Sequence, residues 1–582
     1  MAVRRGVVLV LVLIVAAVAI SGAGLVALMF MAGRGGGPTV GANSTLVLEI
    51  GGDLQEREPS GVFDQFVEPP PTVRSVTDAL RKARIDRRVT SVVIRPTTSG
   101  ALWAKVQEVR DAIVDFKRSD KPIVAFLEFG GDQAYYIASA CDKVFLMPTA
   151  SLELTGLASY ELFLRGTLDK IGAFPDALHI GDYKTASNTF TEHTMTPAHK
   201  EMAQSLNTDL FEQLVHGLAE GRHKSEAEAR ALIDHGPYLP EDAVRAGLVD
   251  DLAYEDEIDD KVQLGSGEVR YLLQKDYRHI VPASLGLDRG QRIAVIYAVG
   301  LISSGESSDG GTQVVGSDTL VRYLRRARAD NSIKAIVLRI DSPGGSAIAS
   351  DVIWREVMLT REKKPVIASM SDVAASGGYY IAMPAHAIVA QPGTLTGSIG
   401  VVMMKFVIDG TLKKVGVNME SVSQGRYAEI YSPVRPFSPE ERARVQQLMQ
   451  ATYDTFVEKA ASGRNTTPEK IDAIAQGRVW TGKQAKHLGL VDELGGLDRA
   501  LALAKQRANI AQDAEVELIV YPPKRSLYEM LADPFGRTSD QAGALAAFLG
   551  LNDRRMVNTL TAPLRVFRRG EPLALMPNVF VR

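Results

Sequence analysis

Ala335-Ile336-Val337-Leu338-Arg339-Ile340-Asp341-Ser342-Pro343-Gly344-Gly345-Ser346 carries an apolar, β-rich run straight into two adjacent glycines. Its first six residues read as a buried strand. Paired glycines behind a strand let backbone N–H groups approach a ligand with no Cβ in the way, which is how an oxyanion hole is made. Ser376 comes thirty residues after Ser346, in Ala374-Ala375-Ser376-Gly377-Gly378-Tyr379-Tyr380. A serine among small residues at a strand-to-helix turn reads as an exposed nucleophile, with the Gly377 amide placed to serve the same oxyanion. Either motif alone is equally well a tight turn. Together, at this spacing, they favour nucleophilic catalysis.

Outward from these residues the chain repeats itself at an offset close to 244 positions. Ala83-Arg84-Ile85-Asp86 matches Ala327-Arg328-Ala329-Asp330, Val92-Val93-Ile94-Arg95 matches Ile336-Val337-Leu338-Arg339, Tyr135-Tyr136 matches Tyr379-Tyr380, and Gly166-Thr167-Leu168 matches Gly410-Thr411-Leu412. Gly221-Arg222 and Gly247-Leu248-Val249-Asp250 return as Gly463-Arg464 and Gly489-Leu490-Val491-Asp492, with the offset now 242. A duplicated domain is the simplest account. Each copy runs strand (46–50; 293–297), helix (76–85; 320–329), buried strand (92–94; 335–340), a second helix, then an apolar strand after Lys121-Pro122 or Lys364-Pro365. Such alternation predicts α/β layers with mostly parallel pairing. Thr196-Pro197 and Ser438-Pro439 read as helix openings. The expected units are 45–285 and 286–520, followed by an extension, 521–582, without a repeat partner. Its arginines (Arg554, Arg555, Arg565, Arg568, Arg569) read as a solvated basic face rather than a bilayer contact.

A nucleophilic serine needs a base, ordinarily histidine with an orienting acid. His386, in Pro384-Ala385-His386-Ala387-Ile388-Val389, adjoins a short apolar strand and reads as structural. Lysine is the alternative, provided it is desolvated enough for its pKa to fall from about 10.4 toward neutrality. Composition does not select one lysine among many.

At these residues the sequence resembles the bacterial signal peptide peptidase A (protease IV) family in its long, tandem form. The resemblance rests on Asp341-Ser342-Pro343-Gly344-Gly345, Ala375-Ser376-Gly377-Gly378-Tyr379, Leu395-Thr396-Gly397-Ser398-Ile399-Gly400 and, in the first copy, Gly181-Asp182-Tyr183-Lys184-Thr185-Ala186. It implies Ser376 as nucleophile, Lys184 as general base and Ser398 as the residue that orients the lysine. The oxyanion donors would be Gly377 and one of Gly344 or Gly345. It further implies tandem ClpP/crotonase-like domains, a homo-oligomer (a tetramer), and signal-peptide remnants as substrates. Such apolar peptides are expected to add as a strand along 395–402 and the Gly344-Gly345 edge.

The repeat bears on that transfer. Lys184 plus 244 falls on Ala428, and Ser376 minus 244 falls on Asp132. Gly344-Gly345 correspond to Gly100-Ala101. Each copy lacks what the other keeps, so one complete site takes both.

The 582 residues, 46% hydrophobic and 23% charged, describe a globular protein of more than one core. A net charge of −3 gives no reason to expect nucleic acid. The single cysteine, Cys141, excludes an intrachain disulfide and reads as a buried thiol. Nine histidines without metal-ligand spacing predict no metal, and no cofactor is expected. Arg4 and Arg5 precede an uncharged run, 6–33, long enough to span the roughly 30 Å hydrocarbon core. Ala17-Val18-Ala19 would suit a cleaved signal, but the length favours one retained N-terminal transmembrane helix (1–34), with 35–44 as linker. Arg4 and Arg5 before the span, against Arg34 alone after it, then put the catalytic units on the periplasmic side of a bacterial inner membrane, single-pass. Two other readings rank below the peptidase. A membrane scaffold that binds apolar peptides without cutting them is opposed by the intact Ser376 and Lys184. A crotonase-like acyl-CoA hydratase or isomerase would need a glutamate base and cytoplasmic CoA.

Overall fold

The structure is a computed structural model that describes residues 40–52, 54–58, 70–262, 270–308, 313–523 and 572–577. The 6–33 run and the arginine-bearing part of the extension lie outside the described residues. Among the described residues no helix is long and apolar enough to cross a membrane.

In the first half the strands are β1 (Ser44–Gly52), β2 (Val89–Ser99), β3 (Ile123–Leu127), β4 (Gly130–Gly131), β5 (Lys143–Leu146), β6 (Leu152–Glu153), β7 (Phe174–Ile180), β8 (Asp251–Leu252) and β9 (Arg270–Leu273). The second half contains β10 (Gln291–Val299), β11 (Leu301–Ser303), β12 (Val314–Gly316), β13 (Ile333–Ser342), β14 (Gly344–Ser346), β15 (Val366–Ala375), β16 (Ala387–Ala390), β17 (Leu395–Gly397), β18 (Val401–Val407), β19 (Val479–Thr481), β20 (Glu493–Leu494) and β21 (Val516–Tyr521). A last strand, β22 (Leu573–Leu575), comes from the C-terminal extension.

The first half forms a parallel sheet in the order β8-β5-β3-β2-β1-β9, and the second repeats it as β20-β16-β15-β13-β10-β21, with β17 and β19 added beside β15. Strands covered on both faces carry apolar runs rather than alternation. β3 is buried at every position, and β10 from Ile293 onward. A third sheet, β12-β11-β14-β22-β18-β7, takes β7 from the first half and β22 from the extension. The two helix openings occur as read. Thr196 and Ser438 cap 25-residue helices, Pro197–Gly221 and Pro439–Gly463, each with proline in the first turn.

The repeated landmarks prove to be equivalent ties. Lys121 Nζ donates to the carbonyls of Ala83 and Asp86, and Lys364 Nζ to those of Ala327 and Asp330. Arg222 pairs with Asp250 at 3.0 Å and Arg464 with Asp492. Tyr135 and Tyr379 donate their hydroxyls to the Leu248 and Leu490 carbonyls.

Between the halves lies a buried ionic cluster. The Arg339 guanidinium, 1% exposed, bridges Glu56 (2.8 Å) and Glu108 (2.7 Å). Desolvation pushes the Glu56 carboxyl up, but Arg339 overcomes it and holds Glu56 down to about 2. Beside it, Asp372 accepts from the Leu102 and Lys105 amides and caps the helix Trp103–Phe116, whose own N-cap, Leu102, has no capping side chain. The halves are therefore tied polar group by polar group. Arg339→Ala leaves two buried carboxylates without their cation, and we expect a loss of about 3–5 kcal/mol, read as a lower denaturant midpoint at an unchanged slope.

Candidate active site

The site is assembled by an antiparallel ladder that crosses from one half to the other. β7 pairs with β18 from Val401↔Ile180 to Val407↔Phe174. Lys184 follows β7, and Ser398 precedes β18. On the other flank β15 runs beside β17 with Ala375 opposite Gly397, and the Ser376 amide donates to the Gly397 carbonyl at 2.8 Å. Ser376 then opens the helix Gly377–Ala382 with φ 56° and ψ −111°, a conformation costly for a residue with a Cβ. The turn brings residues 192 and 214 positions apart in sequence into contact.

Lys184 Nζ lies 2.8 Å from Ser376 Oγ, 2.8 Å from the Ser398 carbonyl oxygen and 3.0 Å from Ser398 Oγ. Lys184 is 1% exposed, and both serines are fully buried, so Ser376 is not the exposed side chain that its turn suggested: β22 lies between the neighbouring strands β14 and β18. Burial alone drives the lysine pKa well below its ordinary value. A neutral amine has two N–H bonds and one lone pair. With both N–H bonds donated to Ser398, the lone pair is left for the Ser376 hydroxyl.

One supporting turn carried no signal in the sequence. The Tyr183 amide donates to the Gln476 carbonyl at 2.8 Å, and Gly477 packs on the Lys184 backbone. A Cβ on Gly477 would stand 2.6 Å from Lys184 Cα, and its φ of +76° already favours glycine. Gly477 sits in Gln476-Gly477-Arg478, a turn with no obvious link to the lysine 293 positions away.

The two glycines that sequence reading left equivalent differ in their surroundings. The Gly344 amide donates to Ser342 Oγ at 3.1 Å and is occupied. The Gly345 nitrogen lies beside the Ser376 turn, 3.1 Å from where a Cβ on Gly377 would sit. Gly377 is the first residue of its helix, where amides lack an intrahelical acceptor. β22 runs antiparallel between β14 and β18, so part of the extension enters the site region. The basic-surface reading of the extension did not anticipate this.

The remaining candidates lie elsewhere. His386 Nδ1 accepts from the Val366 amide at 3.1 Å, a structural bond. Cys141 is buried, its thiol pushed up to about 12 by desolvation, and so it is unreactive. Asp132, at the position equivalent to Ser376, begins the helix Asp132–Ala138 and accepts from the Gly156 amide at 3.0 Å. Desolvation raises its carboxyl to about 6. Ala428 closes a turn on Gly425 just as Lys184 does on Gly181. The first half thus holds a carboxylate where the nucleophile would be, and the second a methyl group where the base would be.

The profile of peptidase family S49 matches residues 115–267 and 358–511, one segment in each half. The chain belongs to peptidase family S49. It is 38% identical to the chloroplastic serine protease SPPA of Arabidopsis thaliana over 84% of this chain and 72% of that protein. It is 36% identical to Protease 4 of Salmonella typhi over 79% of this chain and 75% of that protein. A membrane-bound stomatin-specific protease of solved structure is 18% identical, with a TM-score of 0.27 over 40% of this chain and 99% of its own. As an S49 member the chain is a serine protease with two S49 segments on an α/β fold. For this protease, Gly477→Ala should displace the Lys184 turn without touching substrate. A displacement near 1 Å costs about 10²-fold in kcat, and an unaltered KM in steady-state kinetics would mark the loss as one of positioning.

Proposed function

We propose that this S49 protease is an endopeptidase with Ser376 as nucleophile, Lys184 as general base, Ser398 as the residue that orients the lysine, and the Gly345 and Gly377 amides as oxyanion donors. The observation that carries the reading is the 2.8 Å approach of a fully desolvated Lys184 amine to Ser376 Oγ. Neutral Lys184 takes the hydroxyl proton as Oγ attacks a peptide carbonyl, and the two amides receive the oxyanion. The resulting ammonium gives that proton to the departing amine, leaving an ester on Ser376. Water, deprotonated by the same lysine, then releases the acid and restores the serine. We take 45–285 and 286–520 as the two units, of ClpP/crotonase type.

The substrates in this reading are apolar peptides, signal-peptide remnants among them, met at a bacterial inner membrane. The support is the family together with the uncharged 6–33 run behind Arg4 and Arg5, which would anchor the chain with its catalytic units on the periplasmic side.

A homo-oligomer is part of the same reading. Segments 157–163 and 418–424 are the repeat equivalents of β18 and β7, yet neither pairs with the other inside the chain. Both carry exposed apolar side chains: Tyr160, Leu162, Met419 and, at full exposure, Val422. Joining 418–424 of one copy to 157–163 of the next repeats the internal ladder head to tail, and such contacts form a ring where the rotation between copies closes. The number four rests on the family resemblance.

Three results are expected. Ser376→Ala and Lys184→Ala each lower peptide hydrolysis by ~10⁴-fold or more, and Ser376→Ala also abolishes uptake of a serine-acylating probe. Wild-type-like hydrolysis in either variant would exclude the dyad. Because the base works neutral and its pKa is depressed by burial, kcat/KM should rise with pH through a transition well below that of an ordinary lysine. Lys184→Arg, whose guanidinium stays charged, should not recover activity at any pH. Finally, Val422→Asp with Tyr160→Asp should shift the light-scattering mass toward a single chain.

A further inference from the structure

β22 is an interior strand. In that sheet, among the described residues, the order β14-β22-β18 joins the two strands flanking Ser376 and Lys184 through β22. Its register is Gly344↔Leu575, Gly345↔Ala574 and Ser346↔Leu573 on one side and Val402↔Leu573 on the other. These are the two edges along which an extended peptide was expected to bind.

The hydrogen bonds fix what each residue presents. The Ala347 amide donates to the Pro572 carbonyl at 3.2 Å, and the Met576 amide to the Pro343 carbonyl at 2.9 Å. Antiparallel pairs alternate between bonded and non-bonded, so Gly345↔Ala574 is the bonded pair between them. The Ala574 carbonyl therefore accepts from the Gly345 amide. A Cβ on Gly344 would overlap that same carbonyl oxygen and stand 2.6 Å from the Gly377 nitrogen. The oxygen thus accepts from one of the amides assigned to the oxyanion, and the Gly377 nitrogen, the other, stands beside Gly344.

The side chains are seated as well. Leu573, 2% exposed, packs with Ala186 and Val402, one from each half. Ala574 joins the core of the second half and Met576 that of the first. The segment Pro572-Leu573-Ala574-Leu575-Met576-Pro577 is uncharged and apolar, the composition of the substrate class proposed above.

We propose that residues 572–577 are a tethered pseudosubstrate, occupying the cleft with Ala574 at the position whose carbonyl is attacked, so that a peptide must displace them to be cut. The proposal rests on the Ser376/Lys184 reading of the site. The tether gives the segment a high effective concentration, and a cleft open a tenth of the time shows an apparent affinity lowered about tenfold.

The test uses the full-length chain carrying Leu573→Asp and Met576→Asp, which places two carboxylates where the segment docks against apolar side chains. Expected is a KM for a model peptide about tenfold lower at unchanged kcat, with free Pro-Leu-Ala-Leu-Met-Pro inhibiting this variant competitively. A KM equal to or above that of the unsubstituted chain would overturn the proposal. So would a free peptide that fails to compete. Binding of the labelled peptide to the same variant with Ser376→Ala added reads the cleft without any chemistry. Uptake there alongside a dyad disproved by kinetics leaves the docking intact, whereas no uptake alongside an active dyad removes only the pseudosubstrate.

Discussion

The ladder between β7 and β18 is the constraint on which the site depends. It fixes, in one register, the turn that carries Lys184 and the turn that carries Ser398. A slip of one residue would turn every side chain of β7 to the opposite face and carry Lys184 off the serine. Several contacts hold the register. Asp176, buried on β7, accepts from the Phe437 amide at 2.6 Å and from Arg442, both in the second half. Beyond the far end of the ladder the Gly172 and Gly410 backbones touch, with a Cβ on Gly410 standing 2.5 Å from the Gly172 carbonyl oxygen. At the near end Gly477 and Gly400 pass too closely for side chains, a Cβ on Gly400 reaching 2.8 Å from Gly477 Cα.

Two buried lysines show how partners decide protonation. Lys105 lies 2.8 Å from Asp341 and 3.6 Å from Asp372, and these carboxylates outweigh desolvation and raise its pKa. Lys184 is buried as deeply but faces hydroxyls and a carbonyl, so desolvation is unopposed. The first is a cation that binds the halves together. The second has the protonation behaviour of a base. A carboxylate beside Lys184 would hold the proton and remove the lone pair that the chemistry needs.

Much of the fold could be read from the chain because the duplication tests every assignment twice. Strands, helices and the openings at Pro197 and Pro439 follow from local periodicity and capping, which are short-range. The paired landmarks, such as Arg222 with Asp250 and Arg464 with Asp492, repeat because each half needs the same tie. Ser376 and the glycines could be read from their turn chemistry. Lys184 could not, since what selects it is burial against Ser398, a contact 214 positions away. Gly477 and the cap that Asp372 supplies to the opposite half were invisible for the same reason. β22 escaped because an apolar triplet after a long segment without repeat has no periodicity to mark it.

The exchange of β7 also accounts for the unequal decay of the two copies. A strand that leaves its own half can complete a site only where it arrives. Within one chain β7 arrives at the second half, so the dyad proposed above needs the serine and glycines in that half and the lysine in the first. The reciprocal junction, between 418–424 and 157–163, would bring Ala428 to Asp132, with neither base nor nucleophile. There the Asp132 carboxyl, taken up by the Gly156 amide, fills the turn that Ser376 occupies in the working copy. In the dyad and oligomer proposed above, each chain would therefore hold one site, inside the chain rather than between two.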